Sequence, residues 1–216
     1  MNNMPSEAGE VTAALVKLLS PTDPVRLSIG GVRATELVRE FGSPLYVYDA
    51  GIIRRNYAAV RAAVGDEPRI LYALKANPSL AVAQVLQREG AGAEVASAGE
   101  IHAALAAGFD GPSMQFAGPG KVVSEVEFGI DIGLGSFNIE SPAEYRTVAE
   151  AGRRLGKTPR VAIRVHPKAA VSGARMSMSG GGKKFGVDAD RVSSLVREML
   201  EDGAVDLRGL HTYGGT

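Results

Sequence analysis

Lys75 follows an apolar run, Ile70-Leu71-Tyr72-Ala73-Leu74, and Asn77-Pro78 stops the extension just beyond it. The run reads as a short buried strand. A lysine at its mouth either reaches solvent along its own stem or is used chemically, because a desolvated ammonium is costly unless paired or reactive. Two carboxylates come next, in Gly92-Ala93-Glu94-Val95-Ala96-Ser97-Ala98-Gly99-Glu100. Glu100 also completes a Ser-x-x-Glu capping box with Ser97. Arg164 ends a further apolar run, Val161-Ala162-Ile163, and a cation there needs an anion to meet. The Glu94/Glu100 pair is one candidate for that anion. The last segment, Gly209-Leu210-His211-Thr212-Tyr213-Gly214-Gly215-Thr216, offers an aromatic ring and a hydroxyl.

Other stretches carry less. The three histidines, His102, His166 and His211, show no metal-ligand spacing, and packing or exposure suits His102 and His166 better than catalysis. Gly180-Gly181-Gly182-Lys183-Lys184-Phe185-Gly186 fails the phosphate-loop pattern, since Ser177 and Lys184 stand where Gly and Ser/Thr are required. It reads as a flexible loop. Gly118-Pro119-Gly120-Lys121 reads as a tight turn before a helix.

The elements that must position these residues are regular. Strand-like segments fall near 70–74, 92–96, 113–117, 132–138, 161–165 and 207–212, with a helical pattern between each pair. Ser97-x-x-Glu100 and Ser141-Pro142-Ala143-Glu144 both announce helices just after strands, with Pro142 at the favoured first position. Arg191 to Leu200 spaces Val192, Leu195, Val196, Met199 and Leu200 along one face. Upstream, Val11 to Leu19 and Thr35 to Phe41 predict short helices, and Leu45-Tyr46-Val47-Tyr48 a strand. Asp49 is placed to cap a helix over 50–64. Repeated βα units imply a parallel sheet, open or closed into a barrel. A barrel gathers the carboxyl ends of its strands on one face, where Lys75, Glu94, Arg164 and the 211–216 segment would meet.

Composition narrows the class. The chain has 216 residues, 45% of them apolar, with Lys+Arg and Asp+Glu both 24, so no charge excess marks a nucleic-acid partner. Zero cysteines exclude a disulfide scaffold and cysteine–zinc sites. No apolar run reaches about 18 residues, and the first nine residues lack a signal-peptide pattern. A soluble cytoplasmic protein is the expectation.

Tyr72-Ala73-Leu74-Lys75-Ala76-Asn77-Pro78 resembles the lysine motif of the fold-type III pyridoxal phosphate (PLP) decarboxylases, the group of diaminopimelate and ornithine decarboxylases. The resemblance covers about residues 40–216. It implies an α/β fold, an alanine racemase-like (β/α)8 TIM-type barrel, here with about six βα units over 49–216. Residues 1–48 would contribute to a β-domain. It implies PLP as cofactor, held by Lys75 as a Schiff base. Glu94, standing where relatives more often have Asp, and Glu100 would face the cofactor. Arg164-Val165-His166-Pro167 is similar to Arg-x-Asn-Pro, with His166 in place of Asn and Arg164 near the cofactor phenolate. Relatives write the last segment His-x-His-x-Gly-Ser. Tyr213 would therefore stack on the pyridine ring in place of the second His, and Thr216 would meet the phosphate in place of Ser. That departure is similar to a subgroup acting on amino acids carried by acyl-carrier proteins. The implied activity is decarboxylation of a free or carrier-bound amino acid by a cytoplasmic homodimer, with no metal, nucleic acid or membrane.

Two alternatives stay open, an amino-acid racemase and a non-catalytic PLP carrier or inactive fragment. Alanine racemases follow their lysine with Ala-Asn-Ala-Tyr-Gly-His-Gly, unlike Pro78-Ser79-Leu80 here, and the single-domain carriers lack the β-domain segment that 27–48 suggests. Since eight strands close such a barrel, the chain is expected to be the N-terminal half of a longer enzyme. Its interior, including Leu71, Ala73, Val95, Ile163 and Val165, is expected to be apolar.

Overall fold

The structure, a computed structural model, describes residues 27–166 and 185–213, together with residues 13, 14 and 17. The chain divides into two compact units, Met1–Val64 and Gly65–Thr216.

In the first unit, β1 (Ser28–Ile29) and β2 (Val32–Arg33) form an antiparallel hairpin. Gly30 and Gly31 turn it at φ 60 and 84, where a side chain would be strained. Helix α1 (Ala34–Phe41) follows, then α2 (Ala50–Val64). Asp49 caps α2 as its position predicts, its carboxylate accepting the N–H groups of Gly51 (2.6 Å) and Ile52 (3.2 Å). The strand expected at Leu45–Tyr48 is not formed. A strand needs a ladder partner, and among the described residues of this unit the one ladder joins β1 to β2. Tyr46 is instead 87% exposed. The helix expected at 11–19 falls largely outside the described residues.

The second unit carries β3 (Leu71–Ala73), α3 (Leu80–Arg88), β4 (Gly92–Val95), α4 (Ala98–Ala106), β5 (Met114–Phe116), α5 (Val123–Asp131) and β6 (Ser136–Ile139). It continues with α6 (Pro142–Leu155), β7 (Arg160–His166), β8 (Val187–Asp188), α7 (Ala189–Asp202) and β9 (Asp206–His211). Six strands pair in the order β3-β4-β5-β6-β7-β9, every pair parallel. These are the six expected, with the fourth moved from 132–138 to 136–139. Gly133, at φ 69, still belongs to the turn before it. The short β8, which no sequence pattern announced, pairs with Val165 and His166 of β7. Six successive βα units of a TIM-type barrel, left unclosed, account for this order.

Strand alternation sorts the two faces. In register, Ala93, Met114, Phe116, Phe137, Ile139, Val161 and Ile163 lie in one buried cluster with Ile101, Val126, Val148 and Leu195 of the helices. The opposite parity holds Ala73, Glu94, Gln115, Ser136, Asn138 and Arg164. Of the apolar interior expected from the sequence, Leu71 and Ala73 keep the inward parity of Glu94, and the other three positions are corrected. Val95 and Ile163, both 0% exposed, pack in the helix-side core, and Val165 shares their parity. The inner face is largely polar.

Three glutamates clamp the loops at the carboxyl ends of the strands. Ser97 caps α4 and Ser141 caps α6 as expected, accepting from Glu100 N (3.2 Å) and Glu144 N (3.1 Å). Each glutamate reaches back one residue further than the usual box, to the N–H of Ala96 (2.7 Å) and of Glu140 (2.6 Å). Glu125 spans two loops, accepting from Ala98 N (2.8 Å) and Val122 N (3.2 Å). At the other end of the sheet, a Cβ on Gly111 would stand 2.0 Å from the Ile132 carbonyl oxygen, so only glycine fits. Tyr145 of α6, 1% exposed, donates to Asp202 at the end of α7. Burial and that carboxylate push its phenol well above the usual range.

Candidate active site

Lys75 does not sit on a strand. β3 ends at Ala73 and a single 3-10 turn, Leu74–Ala76, carries the lysine. Leu74, 0% exposed, anchors the turn in the core. The Tyr72 hydroxyl donates to the Asn77 carbonyl (2.9 Å), and the Asn77 side chain accepts from Ser79 N (3.0 Å), which starts α3. Each residue of the motif thus has a local task, and the sum fixes where the lysine stem leaves the backbone.

The amine meets Glu94, whose Oε1 lies 2.5 Å from Lys75 Nζ. Ala73 and Glu94 are register partners, so the pair bridges the mouths of β3 and β4. The lysine side chain is 63% exposed. It is therefore an accessible amine beside a carboxylate, reaching solvent along its stem as one of the two readings of its sequence setting has it. Glu100 is engaged elsewhere, its Oε2 accepting from the Ala96 N–H.

Arg164 finds its anion elsewhere than expected. Its Nη1 lies 3.1 Å from Glu140 Oε1, with side chains only 13% and 6% exposed. β6 and β7 are sheet neighbours, and Glu140, one residue past β6, shares the inward parity of Ser136 and Asn138. Glu94 and Glu100 belong to β4 and its loop, two strands further away. The Phe185 ring covers the other side of the guanidinium at 5.3 Å. Behind it, Gly186 runs at φ 90 so close that a Cβ would meet the Arg164 carbonyl oxygen at 2.7 Å. Phe185-Gly186 is thus the described end of the Lys-Phe-Gly segment, while Gly180-Gly181-Gly182-Lys183-Lys184 lies outside the described residues.

His211 opens the 211–216 segment expected at this mouth, where the sequence assigns it no role of its own, and it shares the field of Lys75, Glu94, Glu140 and Arg164. It is the register partner of Arg164 on β9. Its Nδ1 is buried with no hydrogen-bond partner among the described residues. Burial, then the charge of Arg164, hold its imidazole below the usual range, against the opposing pull of Glu94 and Glu140. A depressed imidazole disfavours protonation in the fold, so its contribution to stability is present above the unfolded value and lost as pH falls. Tyr213 follows two residues later, half-buried at the carboxyl end of β9. Thr216 lies outside the described residues. His166 closes β7 opposite Asp188. His102 is exposed and stacks on Phe128 at 4.7 Å, which is packing, as its sequence setting suggests.

Lys121 is the other residue that sequence reasoning missed. The turn Gly118–Gly120 delivers it into the protein, where its side chain is 0% exposed. Its Nζ donates to Gly118 O (2.8 Å), Asn138 O (2.9 Å) and Glu144 Oε1 (2.6 Å), with the Phe116 ring 5.2 Å below. A sequence shows a lysine after a turn; only the fold shows three acceptors converging on it from positions up to 23 residues away. Lys121, Glu140, Glu144 and Phe185 line one cavity of about 380 Å³. Among the described residues no cluster of histidine and carboxylate side chains is set to hold a metal ion, and no helix is long and apolar enough to cross a membrane.

Residues 50–215 match the family model for the pyridoxal-dependent decarboxylase, pyridoxal binding domain. An L-glutamyl-(BtrI acyl-carrier protein) decarboxylase from Niallia circulans is 31% identical over 190 residues, 88% of this chain and 44% of that protein. A diaminopimelate decarboxylase from Archaeoglobus fulgidus is 36% identical over 199 residues, 88% of this chain and 45% of that protein. Among solved structures, diaminopimelate decarboxylase from M. jannaschii in complex with L-lysine superposes with a TM-score of 0.82 at 31% identity. That match covers 88% of this chain and 46% of that one. The chain spans about half the length of the curated relatives it matches. A lysine amine, an arginine and a cluster of carboxylates at the carboxyl ends of parallel strands are the setting in which such a match carries chemical sense. The chain accordingly belongs to the pyridoxal-dependent decarboxylases, with pyridoxal phosphate as cofactor.

Proposed function

We propose that the protein decarboxylates an α-amino acid, free or bound to an acyl-carrier protein, with Lys75 as the residue that holds the cofactor. The accessible Lys75 amine facing Glu94, Arg164 and His211 across one mouth of the sheet carries this reading. The donor set fits the group: an amine for an aldehyde, a guanidinium for a ring oxygen, and a buried Nδ1 still lacking a partner. When bound, pyridoxal phosphate supplies an aldehyde for amines and an electron-poor ring that accepts the pair released as CO2 departs.

The chain's own residues do the rest. Lys75 would hold the cofactor through its accessible amine, the group that suits an aldehyde. Glu94 Oε1, at 2.5 Å, would orient the Lys75 amine. Arg164 would oppose negative charge on the ring oxygen. By the family resemblance, Tyr213 would stack on the cofactor ring and Thr216 would meet its phosphate. Glu100 contributes by fixing the Ala96 N–H and so the loop after β4. Residues 1–48 contribute to a β-domain and 49–216 form the barrel part, a boundary supported by the family match starting at residue 50. A cytoplasmic homodimer follows from the family resemblance.

The carrier-bound class of substrate is favoured by Tyr213, which replaces the usual histidine, and by the Niallia circulans relative that acts on a carrier-bound glutamyl group. Labelled CO2 release from pyridoxal-loaded protein, offered free diaminopimelate, lysine, ornithine and glutamate and then the same acids on a carrier protein, tests this. Release from at least one is expected; racemisation without CO2 would replace decarboxylation by the alternative chemistry. Tyr213→Ala is expected to weaken cofactor binding by about 1 kcal/mol, through lost ring area, and Tyr213→His to restore most of it. Unchanged affinity of the alanine variant in a fluorescence titration would remove Tyr213 from the cofactor.

A further inference from the structure

Glu140 is buried, and one of its two carboxylate oxygens holds Arg164 while the other, Oε2, has no partner among the described residues. An acid kept in such a place by a single arginine contact is costly unless its charge has a use. Its backbone is held as firmly as its side chain. The Glu140 N–H donates to Glu144 Oε2 at 2.6 Å, and Glu144 Oε1 in turn takes the buried Lys121 amine at 2.6 Å. Lys121 and Glu144 therefore fix the point from which the Glu140 side chain departs, and Phe185 closes the far side of the guanidinium. The result is a chain of contacts, Lys121 to Glu144 to Glu140 to Arg164, running from the β5 and β6 loops to the site.

We propose that Glu140 is a positioning residue for the pyridoxal cofactor, aiming the Arg164 guanidinium and offsetting its charge where it opposes the cofactor's ring oxygen. The inference rests on the cofactor reading above. Lys121 and Glu144 at the β5 and β6 loops line a cavity with Glu140, and His211 on β9 feels both members of the pair together with Lys75 and Glu94. With Glu140 charged, the guanidinium presents a partly compensated cation to the ring. With Glu140 neutral, the full positive charge acts on the ring and disfavours protonation of the nitrogen joined to the aldehyde carbon.

The test is a pH titration of the visible absorbance of the pyridoxal-loaded protein, alongside the affinity of the cofactor-free protein for pyridoxal phosphate. Glu140→Gln keeps shape and removes charge; its absorbance midpoint is expected to move down by about one pH unit. Glu140→Asp keeps charge but shortens the reach; its midpoint is expected to stay near that of the parent while kcat falls at little-changed KM. Midpoints of both variants equal to the parent's would overturn the proposal, as would an equal shift in both. Should Glu140→Gln fail to fold, a midpoint moved by a whole pH unit in Glu140→Asp would overturn it alone. The cofactor reading fails separately: Lys75→Ala retaining the visible absorbance would remove it, whereas an unmoved midpoint in a normally absorbing Glu140→Gln removes only the role of Glu140.

Discussion

Lys75→Ala is expected to abolish the visible absorbance of the bound cofactor and the decarboxylation together, leaving at most weak non-covalent binding. Neither of the other lysines described in the second unit offers its amine at this mouth. Lys121 is buried among three acceptors, and Lys157 pairs with Asp131, whose segment lies at the opposite ends of the strands. Loss of the tether proposed for Lys75 would remove the cofactor's fixed orientation, and orientation alone is worth several orders of magnitude in rate. Absorbance spectroscopy and CO2 release on the same preparation measure both. A variant that keeps the full visible band would place the tether on another residue.

Lys121→Met is expected to be the most destabilising substitution considered, by about 3–5 kcal/mol in urea unfolding. The methionine fills the space but strands Glu144 Oε1 and the carbonyls of Gly118 and Asn138, all of which now accept from one ammonium. Removing one member of a buried pair costs more than removing both, because the remaining charge stays desolvated. The double variant Lys121→Met/Glu144→Gln should therefore lose well under the sum of the two single losses, with coupling above about 1 kcal/mol. Strict additivity would mean that the two side chains do not stabilise one another.

Legibility differed with the range of the interactions. The six parallel strands and the helices after Ser97 and Ser141 were visible because short apolar runs and capping boxes act within a few residues. Leu45–Tyr48 had the composition of a strand but no neighbour to pair with, which composition cannot reveal. Lys75, Glu94 and Arg164 were picked out as site residues and do converge, whereas the Glu94/Glu100 pairing with Arg164 was not found. Glu140 takes that place because strand order puts β6 beside β7 and parity turns residue 140 inward. Its sequence setting, just before a capping serine, concealed that. The inner face is legible only in part for the same reason: Leu71 and Ala73 do have the inward parity, while Val95 and Ile163 look like interior residues until register assigns them to the helix side. Lys121 and His211 depend entirely on long-range convergence, on partners 17 and 23 residues away for the former and on the register with β7 for the latter.

The tether itself is open to direct chemical capture. Borohydride treatment of the pyridoxal-loaded protein converts a lysine–cofactor bond into a stable secondary amine, which survives proteolysis and can be mapped by mass spectrometry. The pyridoxyl group is expected on the peptide containing Tyr72-Ala73-Leu74-Lys75-Ala76-Asn77, at Lys75, in near-stoichiometric yield. Its recovery on a different lysine, or its absence from every peptide of a protein that demonstrably binds the cofactor, would contradict the assignment.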